Sequence, residues 1–395
     1  MTNICFYLHV HQPPRLKNFS IFNIGKNQNY FDKTTNNFYL NRIARKSYNP
    51  SSNLFLRLIK ETKGEFKLAL SLSGVLIEQL EITMPEVIES FNKIVRTGSC
   101  ELIAETYYHS LASYFSQEEF EEQVRLQVKK LKKVFKFNPT VFRNTELLYF
   151  NNLAETIHEL GFKAVLIEGA DKILQGRLPN NLYSSKGVPG LKLLLKNYKL
   201  SDDIAFRFSD SGWKEFPLTS SKFIEWIKAS SQGGQGLVNI FMDYETFGEH
   251  QWKETGIFNF FEDFVKKVCD SEDIRFLLPG EVVSKMPAVD ILDIDKPLTW
   301  ADSERDLSAW IGNDLQKETI YDLYSLEREI KKTKNRRIIN DWRNLQTSDH
   351  FYYMCTKWFN DGDVHKYFNH YDSPYDAYIN YMNVLRDLKY KIKIY

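Results

Sequence analysis

The sequence predicts an α/β protein in which a parallel sheet of strand and helix units is followed by a mainly helical segment. Three observations carry this expectation. Short β-branched or aromatic runs alternate with longer stretches of helical period, the runs number about seven, and from about residue 305 the pattern turns helical and aromatic. At 395 residues the chain has room for a large barrel with an appendage. We therefore expect a barrel over 1–304, with an insertion around 170–235, and a helical, aromatic-rich domain over 305–395.

In order, the expected strands are Ile4–Leu8, Phe66–Leu70, Glu101–Ala104, Thr140–Phe142, Ala164–Ile167, Leu237–Met242 and Ile274–Leu278. Helix ends between them are marked by ordinary capping chemistry. Pro85 suits the first turn of a helix stopped at Gly98, and Ser116 with Glu119 forms a capping box ahead of Phe120, Val124 and Leu131. Gly161 follows a helix from Asn152 to Leu160. The cluster Lys129, Lys130, Lys132 and Lys133 reads as a solvated helix face. Between 170 and 235 the pattern loosens around Gly176, Gly187, Gly190 and Gly212, and a hairpin or loops are expected. Gly233, Gly234 and Gly236 lack the following Lys-Ser/Thr of a phosphate loop.

Composition narrows the function classes. With 52 Lys and Arg against 51 Asp and Glu, the net charge of +1 argues against nucleic acid or an anionic membrane surface as a partner. Cys5, Cys100, Cys269 and Cys355 are far apart and form no CxxC pair, so they read as reduced thiols. No apolar run reaches the roughly 18 residues of a membrane span, and the N-terminus has no basic leader, so a cytoplasmic protein is expected. Aromatic residues make up 15% of the chain, which fits either a Phe/Tyr-rich core or stacking on sugar faces.

Four segments carry chemistry. Strand alternation puts His9 and His11 on one face at the C-terminal end of the first strand, where parallel barrels build their sites. They read as metal ligands, as donors to a substrate hydroxyl, or as simple strand-end histidines. Glu146 stands where the fourth strand runs into a polar loop. The densest segment is Asp243-Tyr244-Glu245-Thr246-Phe247-Gly248-Glu249-His250: an apolar strand ends in two carboxylates, whose repulsion raises the pKa of one and suits it to act as a general acid. Trp300, Asp302, Asp306, Trp310, Asn313 and Asp314 mix aromatic and carboxylate groups in a patch suited to sugars or to interdomain packing. Glu101 is a lone acid among apolar neighbours.

Together these segments resemble the motif set of glycoside hydrolase family 57, in that family's order. His11-Gln12-Pro13 matches the opening motif, Gly98 to Leu102 the second, Glu146 the nucleophile motif, Asp243 to Gly248 the acid/base motif and Trp300 to Gly312 the fifth. Leu345 to His350 is similar to the helical segment that closes over the site. Tyr244 stands where many members have a small residue.

The resemblance implies an incomplete seven-stranded β/α barrel followed by a helical domain. It also implies a retaining glycosidase on α-1,4-glucans, α-amylase-like, with Glu146 as nucleophile and Asp243 as acid/base. 4-α-Glucanotransfer or branching is the alternative within the family. His9, His11, Glu101, Glu245, Trp300, Asp302, Asp306, Trp310, Asp349 and His350 are the implied substrate-binding set. An α-glucan or maltooligosaccharide is the expected partner, with no metal or other cofactor. Two readings of other classes compete: a metal-dependent deacetylase or amidohydrolase using His9, His11 and Asp243, with His109 and His250 nearest to further strand ends, and a silent glucan-binding protein.

Overall fold

The computed structural model describes residues 1–26, 28–357 and 369–394. Its ten strands are β1 (Thr2–Val10), β2 (Leu68–Leu72), β3 (Cys100–Leu102), β4 (Val141–Arg143), β5 (Ala164–Glu168), β6 (Leu182–Ser185), β7 (Val188–Lys196), β8 (Leu237–Asp243), β9 (Ile274–Phe276) and β10 (Asp290–Leu292). All nine residues of β1 are buried, which is why it reads as a near-continuous apolar run: a parallel strand is covered on both faces. β8 runs beside it in parallel from Asn3 opposite Leu237 to His9 opposite Asp243.

On the other side of β1, β9 pairs with Thr2 to Ile4 and β2 with Tyr7 to Val10. The circuit continues in parallel through β3, β4, β5 and β7 and returns to β8. Seven strands thus close a barrel with two thin seams. β3 meets β4 through the single bridge Ala104–Phe142, and β7 meets β8 through Lys196–Asn239 alone.

The seventh member of the circuit corrects the sequence reading. β9, expected in the barrel wall, is a three-residue strand wedged beside the start of β1. The wall strand is instead β7, inside the stretch expected as an insertion, where it also forms an antiparallel hairpin with β6. Lys192 and Lys196 disguise it by breaking the apolar run. Lys196 is tolerated in the wall because its ammonium is paired, 3.3 Å from Asp202 and 3.7 Å from Glu168.

Capping follows the sequence. Ser116 accepts from the Glu119 amide to start the helix Gln117–Phe135, and Pro85 opens Pro85–Val95. Helices at Ser308–Ile311, Asp314–Ser325, Glu327–Thr333, Arg336–Leu345, Ser348–Tyr352 and Pro374–Ile394 make up the described C-terminal part. They pack on the β4 and β5 side of the barrel, where Trp310, Trp342 and Leu385 share one apolar cluster with Phe142 and Val165. Many aromatic residues are core: Phe55, Phe66, Phe261, Phe264 and Phe276 contact one another edge-on or tilted. Among the described residues, no helix is long and apolar enough to cross a membrane.

Candidate active site

Parallel strands deliver their C-terminal ends to one rim. β1 ends in His9 and His11, the turn after β3 carries Glu105 and His109, β4 leads to Arg143 and Glu146, β7 ends in Lys196 and β8 in Asp243. His9, His11, His109, Glu146, Lys196 and Asp243 converge on a pocket of about 450 Å³ whose lining also includes Gln12, Glu245, Trp300, Asp302, Trp310 and Asp349, while Glu105 and Arg143 are buried behind His9.

Glu146 sits in left-handed backbone, φ +58°, and Leu147 follows at +52°. Such a pair is strained for side chains with a Cβ. The Asn144 side chain holds this turn, accepting from the Thr145 amide and donating to Ser113 Oγ and to the Leu148 carbonyl. The carboxylate it presents is saturated with donors: Trp300 Nε1 at 2.7 Å, Ser348 Oγ at 2.9 Å and His109 Nε2 at 3.2 Å. Burial alone would push its pKa up. The hydrogen bond and charge of His109 outweigh burial, with help from Arg143 and Trp300, and hold it below the usual carboxylate range.

His109 itself lies between two carboxylates, with Nδ1 3.1 Å from the fully buried Glu105. Burial opposes its charge, but its hydrogen bonds to Glu105 and Glu146 prevail and raise its pKa to about 9, so it is an imidazolium at neutral pH. The ring of His11 stacks on it at 4.0 Å. Burial, with the charge of His109 adding to it, lowers His11 to about 4. A neutral His11 then takes a hydrogen bond from Ser73 at Nδ1 (2.6 Å) and donates to Asp349 from Nε2 (3.1 Å).

Asp243 is held more loosely. Its side chain is 36% exposed, and its partner is His9, whose Nδ1 is 3.5 Å away while Nε2 lies 3.3 Å from Glu105. Burial raises its pKa, yet His9 brings it below the usual value. The sequence reading expected repulsion to raise one carboxyl of the pair. The raised member is Glu245, at about 8, through burial and the charge of Asp243. Glu245 accepts from Tyr48 Oη at 2.6 Å and from Gln12 Nε2 at 3.4 Å, away from bulk water.

Of the residues singled out from sequence, His9, His11, Glu146, Asp243, Glu245, Trp300, Asp302, Trp310 and Asp349 all line this pocket. Three do not. Glu101 lies inside β3, level with Ala69 of β2, and accepts from the Gly280 amide at 2.7 Å. Asp306 caps the short helix Ser308–Ile311 through the Ser308 amide. His350 is buried behind the wall against Tyr353 and Tyr381.

Sequence reasoning passed over Glu105, Arg143 and Ser348, and gave His109 no place in a glycosidase site. A Glu and a His four residues apart just after a strand, Glu105-Thr-Tyr-Tyr-His109, was the available signal. Lys196, Asp202 and Arg305 also line the pocket, with the Lys196 ammonium 5.4 Å from the Trp300 ring.

Two groups of donors converge closely enough to hold a cation among the described residues: His9, Glu105 and His109, and His11, His109 and Asp349. Asp243, the acid of the metal-dependent reading, belongs to neither. Both groups need His109, whose two ring nitrogens already donate to Glu105 and Glu146. Metal there would have to displace a proton that His109 directs at one of these carboxylates.

The model of glycosyl hydrolase family 57 matches residues 5–295. A putative α-amylase of Methanocaldococcus jannaschii is 42% identical over 99% of this chain and 85% of its own length. An α-amylase of Pyrococcus abyssi is 24% identical over 72% of this chain, which spans 39% of that longer protein. Among solved structures, a branching enzyme of Pyrococcus horikoshii superposes with a TM-score of 0.67 at 15% identity, covering 93% of this chain and 87% of its own. The 4-α-glucanotransferase of Thermococcus litoralis gives 0.61 at 16%, over 93% of this chain and 54% of its own. With most of the barrel matched by the family model and a relative aligned along nearly its whole length, this chain belongs to glycosyl hydrolase family 57.

Proposed function

We propose that the protein is a retaining glycosidase of α-1,4-glucans in which Glu146 is the nucleophile and Asp243 the acid/base. The observation that carries this reading is the asymmetry of the two carboxylates in one pocket. Glu146 is ionised and fixed by three donors, as a nucleophile requires, while Asp243 is partly open and can exchange a proton.

Glu146 attacks the anomeric carbon as the glycosidic bond breaks, and Asp243 gives the leaving oxygen its proton. In the second half, the oxygen of water, or of an acceptor sugar in the transfer variant of the same chemistry, bonds to the anomeric carbon as Asp243 takes its proton, and the glycosyl–Glu146 bond breaks with retention. The basic group facing Asp243 is His9, whose Nδ1 is 3.5 Å away. Covering Asp243 with sugar removes its water, which favours the protonated form. His109, anchored by Glu105, positions Glu146 and keeps it charged. Trp300 offers a face for a sugar ring, and His11, Asp302 and Asp349 offer polar edges. The four free thiols support a reducing, cytoplasmic setting.

The test is incubation with a defined maltooligosaccharide, with early-time NMR of the released anomer and analysis of the whole product ladder. The α-anomer is expected first, and turnover is expected to survive exhaustive chelation. Shorter products alone mark hydrolysis, and products longer than the input mark transfer. A β-anomer would remove Glu146 as nucleophile, since retaining chemistry places the two carboxylates roughly 5 to 5.5 Å apart with no room for an attacking water. Loss of turnover with metal would revive the metal-dependent reading.

A further inference from the structure

A second cavity lies outside the pocket and shares none of its lining residues. It is a groove of about 840 Å³ between the segment Ala44–Leu54 and the loop that follows Asp243. Trp252, 58% exposed, stands in its wall, with the Lys46 ammonium 5.5 Å from the ring. A single open aromatic is ordinary on a protein surface; what sets Trp252 apart is that it stands in the wall of a groove, where its face can stack on a ligand lying there.

The platform is rigid. Gly248, at φ +101°, packs so closely on the 44–48 segment that a Cβ would lie 1.9 Å from the Lys46 carbonyl oxygen. The same loop carries Glu245 and Thr246 to the pocket and Gly248 and Trp252 to the groove.

The polar groups of the groove are those of a neutral, hydroxyl-rich ligand. Arg57 is spent on Glu61 and Glu262, and Lys46 lies 3.7 Å from Glu249. Arg45 and Lys253 on one side and Glu254 on the other have no ion pair among the described residues, so little net charge is left to select an anion. Asn53 and Asn259 make no side-chain hydrogen bond among the described residues, and each offers a donor and an acceptor, the pairing that vicinal hydroxyls take up.

We infer that the groove beside Trp252 is an accessory binding site for an α-glucan chain, separate from the catalytic pocket. The inference rests on the α-glucan reading above for its ligand. Such a site holds a long polymer on the surface and raises the local concentration of chain at the pocket without touching the bond that breaks.

Native electrophoresis through gels containing amylopectin tests it, in the Glu146→Gln background so that the polymer is not consumed. The Glu146→Gln chain should be retarded, and adding Trp252→Ala should weaken retardation about tenfold. A second variant, Asn53→Ala with Asn259→Ala, should weaken it in the same direction and guards against a local change peculiar to Trp252. In the otherwise native enzyme, Trp252→Ala should leave turnover of maltopentaose within about twofold while raising KM for amylopectin several-fold.

Equal retardation with and without Trp252, or none for the parent, would overturn the site whatever the enzyme's activity. Retardation abolished by inorganic phosphate would overturn it in favour of an anion site. Retardation lost with Trp252 in a chain that turns over no α-glucan would keep the site and overturn the catalytic reading alone.

Discussion

The two walls of the pocket are built on different principles. On the Glu146 wall, a strained turn, an indole, a hydroxyl and an imidazolium all fix one carboxylate. On the Asp243 wall, a half-open carboxylate meets one histidine at 3.5 Å. A nucleophile gains from being held in attacking position with its charge already in place, because no reorganisation is then left for the transition state. A group that must first give and then take a proton loses by the same treatment, since each donor locks it into one protonation state.

The largest expected effect breaks the comparison at its centre. Glu146→Gln should lower turnover by about 10⁴-fold or more on every substrate, activated leaving groups included. Asp243→Asn should cost about 10²- to 10⁴-fold on α-glucans but little in glycosylation by a glycosyl fluoride, whose leaving group needs no proton. A glycosyl-enzyme should then accumulate, visible by intact-protein mass spectrometry. Equal loss of both variants on the fluoride would refute the division of roles.

Next comes the support of the fixed wall. Glu105→Gln removes the charge behind His109 and should cost about 10- to 100-fold in kcat with little change in KM. Its readout beyond activity is the His109 ring, followed by NMR: the parent should titrate near pH 9, and the variant well below it. The sign for stability follows. A raised histidine contributes stability that is whole below its ordinary value of 6.5 and is lost as the pH climbs through about 9, so the variant should flatten that slope. Glu101→Gln, inside β3, should change kcat by less than about twofold, because its carboxylate meets only structural groups.

Trp300→Phe keeps an aromatic face but deletes the 2.7 Å donor to Glu146. A hydrogen bond to a charged group is worth about 1.5–3 kcal/mol, so kcat should fall roughly 10- to 100-fold, or by less if water replaces the indole. The smallest effect sharpens the open wall. Glu245 is a buried carboxyl raised to about 8, so stability is lost as the pH rises from its ordinary value of 4.5, where the unfolded chain ionises, up to about 8, and no further above it. Glu245→Gln ionises in neither state: its Tm relative to the parent's should climb by a few °C from about pH 5 to about pH 8 and stay level beyond.

Much of this protein is decided locally and can be read from the chain. The strands β1, β2, β4, β5 and β8 declare themselves as buried apolar runs, and the caps at Ser116 and Pro85 act through their own neighbours. Glu146 and Asp243 are visible because a carboxylate at the end of an apolar strand breaks a pattern. What the sequence leaves open is set by contacts between residues far apart in it. β7 is a wall strand only because Lys196 finds Glu168 and Asp202. Glu105 rather than Glu101 meets the pocket's histidines because it lies three residues beyond the end of β3, where the chain reaches His9 and His109, while Glu101 stays level with Ala69 at mid-strand. Which acid of the pair near β8 is protonated was likewise beyond the sequence. Repulsion between Asp243 and Glu245 is evident from their spacing, but its outcome depends on His9 arriving from β1 and Tyr48 sealing Glu245 from water. Strand and helix identity follow from the polymer's own periodicity, whereas protonation and placement depend on charges and burial that exist only once the barrel has closed.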